Sequence, residues 1–176
     1  MAEKHSQDSQ VGMGPEAAGS SLLLGEWSRR LDDRFRLSLP SEWAETLVDD
    51  ESQCVVAKER RGCLSLWNSQ QWGKWLEDGV QLVESKIRTG RLAGRQSHVQ
   101  MLGRLLSTRH RNVPVAGRGR VTIPESFRDF FGVDPGGSLL VVGAAICVEL
   151  WHPDRWSEHV EQHMPDFRQL FDQLAD

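Results

Sequence analysis

Arg34 and Arg36 stand two residues apart, and so do Arg118 and Arg120. Each pair runs into an apolar-x-apolar-Pro phrase, Leu37-Ser38-Leu39-Pro40 in one place and Val121-Thr122-Ile123-Pro124 in the other. A guanidinium is planar, permanently charged and able to grip a phosphate or a guanine edge with two parallel hydrogen bonds. On an extended ribbon, side chains two apart share a face, so four such groups would gather on one face of a two-copy body. A competing reading is internal: Asp32 and Asp33 sit beside the first pair and can neutralise one of its members.

Other chemistries find little support. The chain has no P-loop, no G-x-G-x-x-G and no G-x-S-x-G, and Gly117-Arg118-Gly119 reads as a turn. His152, His159 and His163 lie near one another but lack partners at metal-ligand spacing, so they read as exposed helix residues. Asp32 and Asp33 could do acid–base work, yet the matching places in the second phrase are Ala116 and Gly117, which favours a turn or ion-pair role. Cys54, Cys63 and Cys147 are odd in number and form no C-x-x-C pair, as plain buried thiols would. No catalytic residue, metal, cofactor or small-molecule substrate is expected, and no enzyme.

The net charge of −4 hides a block. Residues 86–120 carry nine basic side chains and no acidic one, between segments of net −6 and −7. Segregated charge suits an anionic partner, because the local field matters more than the average. A solvated face paired with acidic neighbours or another subunit fits it equally well. Within the block, Arg88, Arg91, Arg95 and His98 stand at steps of three and four, the spacing of a helical stripe, and the three arginines are candidates for further basic contacts. Gly90 and Gly94 predict a helix break between them.

The elements that carry the arginines recur. At an offset of 84 residues Arg34 matches Arg118, Arg36 matches Arg120, Leu37 matches Val121 and Pro40 matches Pro124. The same offset takes Trp43 to Phe127, Leu47 to Phe131, Cys63 to Cys147, Trp67 to Trp151 and Trp72 to Trp156. The unit is a ββ–helix–ββ module of roughly 50 residues, too small to hold a core alone. Two copies packed together would share one core. The expected organisation is a flexible polar tail at 1–20, a first module at 23–72, a basic helical connector at 73–110, a second module at 111–156 and a C-terminal helical segment at 157–176. Asp166 with Gln169 fits a capping box ahead of a last helix whose Phe167, Leu170, Phe171 and Leu174 line one face.

The stretches GEWSRRLDDRFRLSLPSEW, VPVAGRGRVTIPESFRDFFGV and LLVVGAAICVELWHPDRW, over about residues 23–165, resemble the MraZ family. The family motif is Asp-x-Lys-Gly-Arg before an apolar-x-apolar-Pro strand, present twice. Here Phe35 stands at the family's Gly in the first copy, Ala116 at its Asp in the second, and Leu23-Leu24 at its Phe-Arg. The resemblance implies an α+β fold of two tandem AbrB-like (SpoVT-AbrB) swapped-hairpin β-barrel modules forming a pseudo-two-fold body, with connecting and C-terminal helices. It implies a sequence-specific DNA-binding regulator, cytoplasmic and nucleoid-associated, acting as a ring-shaped homo-oligomer on promoter repeats of the division and cell-wall gene cluster. The contact residues it implies are Arg34, Arg36, Arg118 and Arg120, with Asp32 as the hairpin's acidic member. No membrane partner is expected. Two alternatives stand beside it. Phe35 and Ala116 motivate an oligomeric interaction protein that has lost operator reading. An antitoxin-like protein is opposed by the ordered-looking C-terminal helix.

Overall fold

The structure is a computed structural model that describes residues 22–175. The tail expected at 1–20 lies outside the described residues. Chain order begins with β1 (Leu23–Arg30), β2 (Arg36–Ser38), α1 (Ser41–Leu47), β3 (Gln53–Arg60), β4 (Cys63–Asn68) and α2 (Ser69–Arg88). It continues with α3 (Gln96–Arg109), β5 (His110–Ala116), β6 (Arg120–Thr122), α4 (Glu125–Phe131), β7 (Ser138–Ala145), β8 (Val148–Trp151) and α5 (Pro153–His163). A 3₁₀ turn, Met164–Asp166, leads into α6 (Phe167–Ala175).

The eight strands form one antiparallel sheet in the order β1-β7-β8-β4-β3-β5-β6-β2. Its two ends, β1 and β2, are consecutive in the chain, so the sheet nearly closes on itself. Arg29 helps to draw the ends together, its Nε donating to the Ser38 carbonyl at 3.1 Å. Inside lies one core built from both halves: Leu37, Leu39, Val56, Leu64 and Leu66 beside Val121, Ile123, Val141, Val148 and Leu150. α1 adds Trp43 and Leu47 to it, and α4 adds Phe127 and Phe131. The fold class is the one the resemblance implies.

The halves interlock strand by strand, since β1 pairs with β7, β2 with β6, β3 with β5 and β4 with β8. Two of these pairings are their own mirror. Leu37 faces Val121 and Ser65 faces Glu149, and each residue is 84 from its partner. A pseudo-two-fold axis therefore runs through both pairs. In β3 the equivalence slips to 85, so that Cys54 matches Leu139 and Val56 matches Val141 in the core. A bulge between Lys58 and Arg60 restores 84 before β4.

Outside the barrel, Trp72 of α2 packs on Val55 and Ala57, and Trp156 of α5 lies against Val142 and Trp151. The Asn68 side chain caps α2 by accepting from the amides of Gln70 and Gln71. His152 caps α5 at the equivalent place, its Nδ1 accepting from the Asp154 amide. Beyond Trp72 no residue of α2 is buried, and none of α3 is. No helix among the described residues is long and apolar enough to cross a membrane.

Two local expectations are corrected. The break falls between α2 and α3, as Gly90 and Gly94 predict, but it divides the arginine stripe. Arg88 ends α2 while Arg91 and Arg95 lie in the turn, so helical spacing does not align them. At the C-terminus Asp166 makes no capping bond. The chain passes through the 3₁₀ turn in helical geometry, so α6 has no free amide end to cap.

Candidate nucleic-acid interface

β2 and β6 pair over three residues: Arg36 with Thr122, Leu37 with Val121, Ser38 with Arg120. Leu37 and Val121 point into the core. The strand period of two then places Arg36, Ser38, Arg120 and Thr122 together on the outer face. Arg36 and Arg120 are diagonal neighbours across the pseudo-axis. Arg34 and Arg118 are not on the strands. They sit in the turns that precede β2 and β6, so the shared-face argument holds for Arg36 and Arg120 and fails within each pair.

The two turns are built differently. In the first, the Asp32 carboxylate organises the chain: one oxygen accepts the amides of Arg34 (2.8 Å) and Arg36 (3.0 Å), and the other meets Arg36 Nε at 2.7 Å. Partial desolvation works to raise the Asp32 carboxyl, but the two amides and the guanidinium outweigh it and hold it below its ordinary value. A depressed carboxyl stabilises the fold above its unfolded pKa, and that contribution is lost as pH falls through the lowered value. Asp32→Asn is therefore expected to destabilise the protein near neutral pH. The gap from wild type should close as pH falls below about 4. Urea unfolding of both proteins across that range checks it, and a gap that stayed constant would remove the charge from the explanation.

The second turn has no such acid. Ala116 pairs directly with Arg120, and Arg118 and Gly119 both take left-handed backbone, with φ of 63° and 69°. A Cβ on Gly119 would come within 2.8 Å of Ala44 Cβ on α1. The glycine is thus required by φ and by close approach together. Among the described residues, the side chains of Arg34, Arg118 and Arg120 carry no hydrogen bond or ion pair, and all three residues are exposed. Arg88, Arg91 and Arg95 are exposed as well.

The structure removes one member of the basic block from solvent duty. Arg109 is bound by both oxygens of Glu59 (3.1 and 3.2 Å) and lies over the Trp72 ring. It also adds one residue that the sequence reading passed over. The Arg128 guanidinium lies 4.0 Å from the Phe35 ring centre. Its signal was the offset itself, which takes Ala44 to Arg128, a small residue to a long cation in a matched position.

The remaining reactive side chains are absorbed by the fold. Burial pushes the thiols of Cys54 and Cys147 up to about 12, with nearby carboxylates adding to it, so neither is a nucleophile at neutral pH. Cys63 is pushed up in the same way. His159 stacks among Trp151, Trp156 and His163 and lies 3.1 Å from Arg60. Burial, then Arg60 and His163, hold it below its ordinary value. Among the described residues no group of three His, Cys, Asp or Glu side chains is placed to hold a metal.

The chain also resembles known proteins in sequence. Residues 109–176 match the family model described as "MraZ protein, putative antitoxin-like". The chain is 23% identical to a protein named transcriptional regulator MraZ from Syntrophomonas wolfei, over 88% of this chain and 98% of that one. It is 27% identical to the protein of that name from Paenarthrobacter aurescens, over 86% and 95% of the two chains. The one from Thioalkalivibrio sulfidiphilus is 29% identical over 77% and 83%. These similarities extend over most of the chain and nearly the whole of the first two relatives, and they point one way: the chain is similar to the proteins named transcriptional regulator MraZ.

Proposed function

We propose that the protein is a sequence-specific DNA-binding regulator that meets DNA with its two arginine turns, using Arg34, Arg36, Arg118 and Arg120. The observation that supports this most is the face around the pseudo-axis. Arg120 is exposed and unpaired there with Arg36 across the axis from it, and Arg118 is exposed and unpaired in the turn that leads into β6. Unneutralised guanidinium groups on a two-stranded ribbon suit a phosphate backbone and the major groove. Arg88, Arg91 and Arg95 are further phosphate contacts in this reading, reached from the α2–α3 turn.

The site works as a repeated unit. The modules are 23–72 and 111–156, joined by the connector 73–110. Trp75 and Leu82 of α2, Leu105 of α3 and Phe167, Phe171 and Leu174 of α6 are large, apolar and exposed. Apolar surface of that extent supports a homo-oligomer, a ring that would present many weak arginine turns to the promoter repeats of the division and cell-wall gene cluster and gain avidity. Such a protein works on the nucleoid in the cytoplasm.

Fluorescence anisotropy against a duplex from the protein's own upstream region, beside a scrambled duplex, tests the reading. Tight, salt-sensitive binding that prefers the native duplex is expected. Equal binding to both duplexes would overturn operator reading. No binding at low salt would overturn DNA binding and leave the oligomeric interaction protein, with the exposed helical faces as its working surface.

A further inference from the structure

Phe35 stands in left-handed backbone with φ of 57°, a conformation that side chains other than glycine seldom adopt. Its equivalent in the other half is Gly119, also left-handed. A bulky residue persists in such a state only where its surroundings over-determine it, and strain of this kind gathers at working sites.

The surroundings of the two positions are complementary. Gly119 lies against Ala44 of α1, with no room for a Cβ, and its carbonyl accepts the Leu39 amide at 3.0 Å. Phe35 lies against Arg128 of α4, ring to guanidinium at 4.0 Å, and its carbonyl accepts the Ile123 amide at 2.8 Å. Ala44 and Arg128 are 84 residues apart, as are Leu39 and Ile123. The same docking site is thus filled small-on-small for one arginine turn and large-on-large for the other. Arg128 is itself anchored, its Nε donating to the Ile123 carbonyl at 3.2 Å. Phe35 in turn donates its amide to the Asp32 carbonyl at 3.0 Å, inside the loop that presents Arg34 and Arg36.

We propose that Phe35 and Arg128 are positioning residues: their stack docks the first arginine turn onto α4 and sets its geometry toward DNA. The assignment rests on the DNA-binding reading for its consequence but not for its mechanics. It explains why Phe35 can replace the family's glycine without opening the turn. Neither residue need touch nucleic acid.

The test uses the full chain, with amide hydrogen exchange read at Arg36 and Ile123 and anisotropy on the native upstream duplex. In Phe35→Ala and Arg128→Ala, exchange at both amides should quicken. DNA affinity should fall about three- to fivefold, the scale of one stacked cation, with the salt slope of Phe35→Ala unchanged. Arg128→Lys should be as weak as Arg128→Ala, because lysine keeps the charge and loses the planar stack. The double variant Phe35→Gly with Arg128→Ala recreates the Gly119–Ala44 pairing and should return to within about twofold of wild type. Unchanged exchange in the single variants would overturn the docking role. Quickened exchange with unchanged affinity would overturn its link to DNA. Arg128→Lys behaving as wild type would make Arg128 a direct charge contact and overturn the proposal. Should the wild type bind no duplex, the DNA reading has failed, and the exchange result alone decides the docking role.

Discussion

Replacing Phe127 by alanine is expected to lower the unfolding free energy by about 3–5 kcal/mol, the usual cost of removing a fully packed phenyl ring. Phe127 is 2% exposed and belongs to the core that both halves share. The Lys58 ammonium lies 4.8 Å from its ring centre, a contact that alanine would also remove. Every strand pairing except the β3–β4, β5–β6 and β7–β8 hairpins joins one half to the other. The loss should therefore be felt by the whole barrel. Guanidinium unfolding should show one transition with a lower midpoint and an unchanged slope. A second transition would show that the halves unfold separately, and a loss under about 1 kcal/mol would show that the interior collapses around the gap.

Removing the charges of Arg118 and Arg120 together is expected to weaken DNA binding about 30- to 100-fold near 0.15 M salt and to reduce the salt slope by nearly two. Each phosphate contact contributes about 0.9 to that slope. Arg36→Ala should do much less. Its charge is already engaged by Asp32 at 2.7 Å, so the net positive potential it offers DNA is small. The Arg36 change should mainly loosen the turn. Anisotropy titrations of Arg118→Ala with Arg120→Ala, and of Arg36→Ala alone, at four or five salt concentrations measure both slopes. A slope loss of about 0.9 in Arg36→Ala, half that of the double variant, would mean that Asp32 releases Arg36 on binding. No loss in the Arg118–Arg120 variant would remove the second turn from the interface.

Much of this architecture was legible because the chain states its pattern twice. Pro40 and Pro124, Trp67 and Trp151, and Trp72 and Trp156 mark the same joints in both halves, and the shared core follows from them. The Asp32–Arg36 pair was legible too, as one of two open readings. Other features were not. The slip to 85 in β3 is invisible because Cys54-Val55-Val56-Ala57 is apolar at every position, so neither register leaves a polar residue inside. The apparent stripe of Arg88, Arg91 and Arg95 assumed a continuous helix across the very glycines that break it. Arg109 looked like free charge because its partner, Glu59, lies 50 residues away. The stack of Phe35 on Arg128 joins turn to helix over a larger separation, and only the pairing of β2 with β6 brings them together.

Ser65 and Glu149 face each other on the pseudo-axis, where two identical half-length chains would have to place each residue opposite itself. A glutamate opposite its own copy would set like charges directly across the ladder, which is destabilising. Burial already raises the Glu149 carboxyl, although the Trp151 indole N–H, donating at 2.8 Å, works against that. Fusing the halves into one polypeptide lifts the constraint. Serine can take one side, accepting the Trp67 indole N–H at 2.8 Å, while glutamate takes the other. Covalent linkage thus does more than hold the halves together: it lets them diverge at the positions where a symmetric dimer could never differ from itself.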